Sequence, residues 1–276
     1  VIVFLSFSFS NNSLLNLMFL IQTWLYSIIF AFLLGLFFIK DFLFFKRGYL
    51  NNKSSYYINL IKKSSPFLIA SIFFTLMQVV DRFVLNAYEG EYLVGILFFF
   101  ISISSALYLF VNYAVGVFHG PIAIKKFRNY GLYEYKKERM IMIKRSCIAG
   151  VIALILYVFL IHPLLKVVNQ QDYIVYINVF YILLIMQCFM LVSDFFQLDL
   201  YVRNMDHEIM QSSIAAGIST FILQVIFIKF YSIYGAAYAA LLGVILLTIY
   251  RYIFFKIGIA KNPKLMSQIN PELSKD

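Results

Sequence analysis

Charge, cysteine, histidine and tryptophan are all scarce in this chain, and each scarcity removes a class of protein. Only 13% of the 276 residues are Asp, Glu, Lys or Arg, about half the share typical of a soluble domain. The two cysteines, Cys147 and Cys188, stand alone in apolar sequence, so no disulfide framework is available. With 3 histidines and no CxxC pair there is no metal-ligand spacing either, and no cofactor is implied. No Gly-rich phosphate loop occurs, which excludes direct ATP hydrolysis by the usual route. A membrane acyltransferase would need a deep catalytic His or acid pair. Here His119 and His162 sit beside Pro121 and Pro163 at the ends of apolar runs, where capping or an interfacial role is expected. The chain reads as a non-enzyme.

What the chain has instead is apolar sequence, 62% of it, with 19% aromatic. The runs are long enough to cross a bilayer as helices. Val1–Phe9 reads as the tail of one span, entered in mid-helix and without the basic leader of a signal peptide. Leu14–Ile39 is a full span containing Trp24, separated from the first by the turn Ser10–Ser13. Then come Ser64–Asn86, Tyr92–Ala123, Ser146–Val168, Tyr173–Tyr201, Ile209–Tyr231 and Tyr234–Ile257. The expected fold is all-α: a polytopic transmembrane helix bundle with seven complete spans and one partial. Ser146–Val168 is almost purely apolar and is expected to face lipid most fully. Gly235, Ala239 and Gly243 at four-residue spacing favour close helix approach.

The net charge of +10 is distributed as an orientation signal. One set of alternate connections comprises a basic connector at 40–63, a basic loop Lys125–Arg145, the turn Arg203–Glu208 and a polar tail at 258–276. All of the 23 Lys and Arg except Arg82, Lys166, Lys229 and Arg251 lie in that set or, for Lys256, beside it. The other set, at 10–13, 88–91, 169–172 and 232–233, has none. The positive-inside rule then places the basic side and the C-terminus in the cytoplasm. Basic residues gathered in short loops do not form a nucleic-acid groove, and nucleic acid is not an expected partner. The loops can also contact anionic membrane lipids.

Ser64–Asn86 carries the most information. Pro66 is expected in its first turn, where the missing N–H costs nothing. Ser71, Thr75, Gln78, Arg82 and Asn86 share one helical face, with Asp81 about 100° round from Arg82. Ionisable groups at a span centre cost about 2.5–3.5 kcal/mol each on insertion scales. Such a stripe should face protein or a wet cavity. Two further stripes occur: Ser105, Tyr108, Asn112, Gly116 and His119; and Gln187, Asp194, Gln197 and Tyr201. Ser213, Gly217, Thr220 and Gln224 align likewise.

These features fall in a recognisable order. A basic connector leads into Ser-Ser-Pro at 64–66, then Asp-Arg at 81–82, Tyr-Leu-Val-Gly at 92–95 and Tyr-Ser-Ile-Tyr-Gly-Ala-Ala-Tyr-Ala-Ala at 231–240. In that order and spacing, roughly residues 40–257 resemble the C-terminal half of the Wzx-type O-antigen and polysaccharide flippases, of the multidrug/oligosaccharidyl-lipid/polysaccharide exporter superfamily. The resemblance implies twelve spans in two six-helix lobes around a central cavity in the bacterial inner membrane. It makes 1–39 the end of a first lobe, 40–63 a cytoplasmic connector, 64–257 a second six-helix lobe and 258–276 a cytoplasmic tail, and so a fragment. It implies flipping of undecaprenyl-pyrophosphate-linked oligosaccharide repeat units by alternating access, for O-antigen, lipopolysaccharide or capsule biosynthesis. The polymerase and chain-length regulator of the same pathway are its implied partners.

On this resemblance the cavity residues are Arg82, Gln78, Asp81, Asn112, Gln187, Asp194 and Gln224. Arg82 would offset the cost of a pyrophosphate in the low-dielectric middle of the membrane. Its alternatives are snorkelling, since the outer turn is about 9 Å of helix rise away, or an ion pair with another helix. Asp81 is expected to pair across the bundle or to take part in cation coupling. Asp194 is expected to meet a Lys or Arg, to bind a coupling proton, or to make a contact within its lobe. Asn112, Gln187 and Gln224 can serve sugar hydroxyls or join helices. Asp199 is expected at the interface, with Arg251 snorkelling inward and Lys229 outward. The competing functions are a multidrug extruder of the same superfamily, which would want acidic residues for cationic drugs, and a membrane O-antigen polymerase, which would want a sizeable outward loop. A structural scaffold would leave the polar stripes unexplained.

Overall fold

The computed structural model describes residues 54–168 and 171–261, together with Leu25, Tyr26, Ser27, Ile29, Phe30 and Leu33. The expected spans Val1–Phe9 and Leu14–Ile39, the turn between them, the connector before Ser54, Asn169–Gln170 and the tail beyond Lys261 lie outside the described residues or are only touched by those six. The chain divides into two compact units, Val1–Ile61 and Lys62–Asp276. The second, with the helix that leads into it, holds the elements that build the candidate site.

The described residues are helical, with no strand among them. Seven α-helices follow one another: α1 Ser54–Glu89, α2 Glu91–Val111, α3 Val117–Tyr130, α4 Leu132–Val168, α5 Gln171–Val175, α6 Ile177–Val202 and α7 Asp206–Lys261. A π-helical turn, Asn112–Gly116, joins α2 to α3, and the residues on either side of it keep right-handed helical angles. Among the described residues five stretches are long and apolar enough to cross a membrane: Ile61–Glu89, Glu91–Tyr130, Leu132–Lys166, Ile177–Val202 and Asp206–Ala260.

The last of these is two arms. Ser232 leaves the helical region (φ 52°, ψ −131°), and beyond it the chain doubles back. Ser219 Oγ lies 3.1 Å from Tyr250 Oη, whereas 31 residues of straight helix would span about 46 Å. The expected hairpin at Ser232–Ile233 is therefore present. Its seam is made of small residues. A Cβ on Gly243 would collide with Thr220, and one on Gly235 with the backbone of Phe227. Ala236, Ala237 and Ala239 are fully buried.

Prolines and basic runs prove poorer helix boundaries than expected. α1 starts in the connector, at Ser54, so Pro66 is well inside it rather than in its first turn. Pro66 cannot donate to the Lys62 carbonyl, and Ser65 Oγ donates to that oxygen instead, at 3.0 Å. Gly120-Pro121 does not end its span: α3 continues to Tyr130. Pro163 likewise sits inside α4. The basic stretch Lys125–Arg145 is not a loop but the ends of α3 and α4, which meet at Gly131. Gly131 has φ 81° and donates its N–H to Phe127 O at 3.0 Å. Lys, Arg, Glu and Tyr are adequate helix formers, so charge ends the apolar runs without ending the helices.

The end of α6 is a Schellman turn. Met205 N–H donates to Leu200 O at 3.1 Å and Asn204 N–H to Tyr201 O at 3.0 Å, with Asn204 at φ 56°. Leu200 and Met205 complete it by packing together with Ala70 and Ile209. This contact and that of Phe73 with Gly217 seat α1 on α7. The main core combines Leu85 of α1, Leu97, Phe100 and Leu107 of α2, Phe180 and Leu183 of α6, and Val244 and Leu247 of α7. α4 turns Ile161 and Leu165 inward and exposes Val151, Ile155, Phe159 and Leu160. Contiguous exposed apolar side chains on that scale suit a membrane-facing surface.

Candidate functional site

Members of each polar stripe meet at two cavities that share Tyr108 and Phe74. The larger, about 430 Å³, is walled by Tyr108, Asn112, Asp194, Gln197, Ser213 and Arg251 among others. The smaller, about 240 Å³, takes in Gln78, Asp81, Arg82, Ser105, Tyr108 and Gln187.

The larger cavity is built around Arg251. This guanidinium is 2% exposed and does not snorkel inward, as its place near the end of an apolar run suggests it should. The acceptors that hold it lie on one face of α6. Nη1 donates to Ser193 Oγ at 2.7 Å, Nη2 donates to Gln197 Oε1 at 2.5 Å, and Asp194 Oδ1 lies 3.5 Å from Nη1. The other carboxylate oxygen of Asp194 accepts from Tyr108 Oη at 2.6 Å. Asp194 therefore meets an arginine of its own unit, one of the roles its sequence leaves open. Its side chain is one third exposed. Gln197 is visible in the sequence as a member of the α6 stripe. Ser193, one residue off that stripe, and the burial of Arg251 are not.

The smaller cavity is organised differently. Among the described residues Arg82 has no ion pair. Its guanidinium lies 4.8 Å from the centre of the Phe98 ring, and its buried Nε has no partner. Asp81 is 3% exposed and, among the described residues, does not pair across the bundle. Its Oδ1 accepts from the backbone N–H of Arg82 at 2.8 Å, so the carboxylate is held by its own helix. Gln187 is buried. Ser71, Thr75, Gln78 and Asn86 are exposed, so the α1 stripe lies on an open face of the unit and not in its core.

One expected cavity residue lies elsewhere. Gln224 lines neither cavity. It is fully buried, and among the described residues neither its amide nitrogen nor its oxygen has a partner, as is also true of Thr220 Oγ1 one turn away. Helical phase puts it on the face with Ser213, but the second arm of α7 covers that face at Gly243. Asn112 does line the larger cavity, with its side chain against Gly116 in the π-helical turn.

The basic ends of α3, α4 and α6 carry a separate charge network. Asp199, expected to be merely interfacial, is buried. It accepts from Tyr135 Oη at 2.6 Å and pairs with Arg139 at 2.7 Å, while Arg203 donates to its carbonyl at 2.6 Å. Glu138 accepts from Lys126 at 2.7 Å and from His119 Nδ1 at 2.6 Å. Arg145 donates to His119 Nε2 at 2.7 Å. The i,i+4 spacing of Asp199 and Arg203, and the lone acids inside a basic run, are the sequence signals for this network. Compared with protein-family models, curated proteins and solved structures, the chain gives no match.

Proposed function

We propose that this chain forms the second lobe, and the end of the first, of a Wzx-type flippase. It would move a lipid-linked oligosaccharide repeat unit across the bacterial inner membrane by alternating access. On this reading the seven complete spans and one partial keep the C-terminus in the cytoplasm, and the pathway's polymerase and chain-length regulator act next. The observation that carries the proposal is Arg82: a cation with no ion pair among the described residues, at a mainly apolar cavity that also takes in Gln78, Asp81, Ser105 and Gln187. A fixed cation of this kind suits a pyrophosphate or an acidic sugar. Gln78, Ser105 and Gln187 beside it suit sugar hydroxyls.

The multidrug alternative would rest on an acid presented to a cationic drug. Asp194 reaches the larger cavity, but Arg251 and Tyr108 already engage it, and Asp81 is turned to backbone. The geometry therefore favours an anionic cargo. The test is glycolipid analysis of a strain lacking the gene, with an impermeant glycan-modifying reagent to report leaflet. Single repeat units accumulating on the cytoplasmic face support flipping. Single units on the outer face move the function to a polymerase, and unchanged glycolipids move it to drug extrusion.

A further inference from the structure

A third pocket lies where α3 leaves the apolar zone. It is an open recess of about 370 Å³, lined by Pro121, Ile124, Lys125, Arg128, Asn129 and Tyr201. The first five repeat at helical spacing along one face of α3, and Tyr201 closes the pocket from α6. We infer that this pocket holds the phosphodiester headgroup of an anionic phospholipid of the cytoplasmic leaflet.

Three observations support it. The cations of this region sort into two groups. Lys126, Arg139, Arg145 and Arg203 are engaged by Glu138, Asp199 and His119, whereas Lys125 and Arg128, like Lys136, Lys137 and Lys144 on α4, are exposed and have no ion pair among the described residues; of these five only Lys125 and Arg128 line the pocket. The pocket therefore holds two positive charges and no carboxylate. Its polar donors are matched to a phosphate: an ammonium, a guanidinium, the Asn129 amide and the Tyr201 hydroxyl. Its other wall is apolar, from Pro121 and Ile124, and it continues into the exposed apolar Ile122 and Phe118 of the same helix. An acyl chain would lie there. A basic recess beside apolar surface at the membrane boundary suits a lipid headgroup better than a free ion. Tyr201 also lines the larger cavity, so the bound lipid would sit at that cavity's edge. The inference does not depend on the flippase reading.

The test is native mass spectrometry of the full chain in neutral detergent with short-chain phosphatidylglycerol, phosphatidylcholine or inorganic phosphate alone. Phosphatidylglycerol should be retained in preference to phosphatidylcholine. The double variant Lys125→Ala with Arg128→Ala should lower its affinity roughly thirtyfold, the effect of two cations at a membrane surface. Lys125→Arg with Arg128→Lys, which keeps both charges, should retain most of it and guards against loss through misfolding. Lys136→Ala with Lys137→Ala removes the same charge from exposed positions of α4 outside the pocket and should change affinity little. Equal binding of the two lipids, equal loss in both alanine pairs, or no loss in the first pair would overturn the inference. Retention of inorganic phosphate with no preference between the lipids would overturn the lipid assignment.

Discussion

Arg82 and Arg251 are the same residue in the same kind of apolar helix, yet their surroundings are opposite. Arg251 is enclosed and finds Ser193, Asp194 and Gln197, all from one face of α6. Arg82 stands at the edge of a cavity, over Phe98, with no ion pair among the described residues. A buried guanidinium without acceptors would be very costly, so its partners are part of the fold. A half-buried one outside any ion pair leaves donors that water or a ligand can complete. The difference separates a charge that holds helices together from a charge left available for cargo.

The largest effect should come from breaking the enclosed pair. Asp194→Ala leaves Arg251 buried beside two neutral acceptors and should cost about 3 kcal/mol, the low end of the range for such losses because Asp194 is partly exposed. Thermal unfolding in detergent measures it. Adding Arg251→Leu should recover much of the loss, and a double variant no more stable than the single would break the assignment. Tyr108→Phe removes one hydrogen bond to a carboxylate and should cost about 1.5 kcal/mol by the same measurement. Arg82→Ala should be mildest for stability, under about 1 kcal/mol, since it breaks no ion pair among the described residues and loses chiefly a cation–ring contact at a cavity edge. A loss as large as that of Asp194→Ala would mean that Arg82 is structural too.

This contrast is only half legible in the sequence. Periodicity locates the stripes, because polar residues at steps of three and four must share a face. Thus Tyr108, Asn112 and Asp194 do meet at one cavity, and the Gly235–Gly243 seam does close the last hairpin. Periodicity does not say which neighbour covers a face. Gln224 shares the phase of a cavity residue, yet it is sealed beneath the second arm of α7. Nor does distance along the chain give depth. Arg251 and Asp199 look interfacial because each lies near the end of an apolar run. The helices continue past those ends, and Tyr135, Arg139, Ser193 and Gln197 come from elsewhere in the fold to meet them. Pro66 misleads for a local reason, the repair of its lost backbone bond by Ser65.

The central claim is that Arg82 serves cargo and Arg251 serves the fold. It is tested most directly by the leaflet distribution of lipid-linked glycan in cells whose gene encodes Arg82→Ala, read with an impermeant glycan-modifying reagent beside an immunoblot of membrane-inserted protein. The expected result is normal insertion, single repeat units retained on the cytoplasmic face, and partial recovery with Arg82→Lys. Export at the wild-type rate from the Arg82→Ala protein would contradict it.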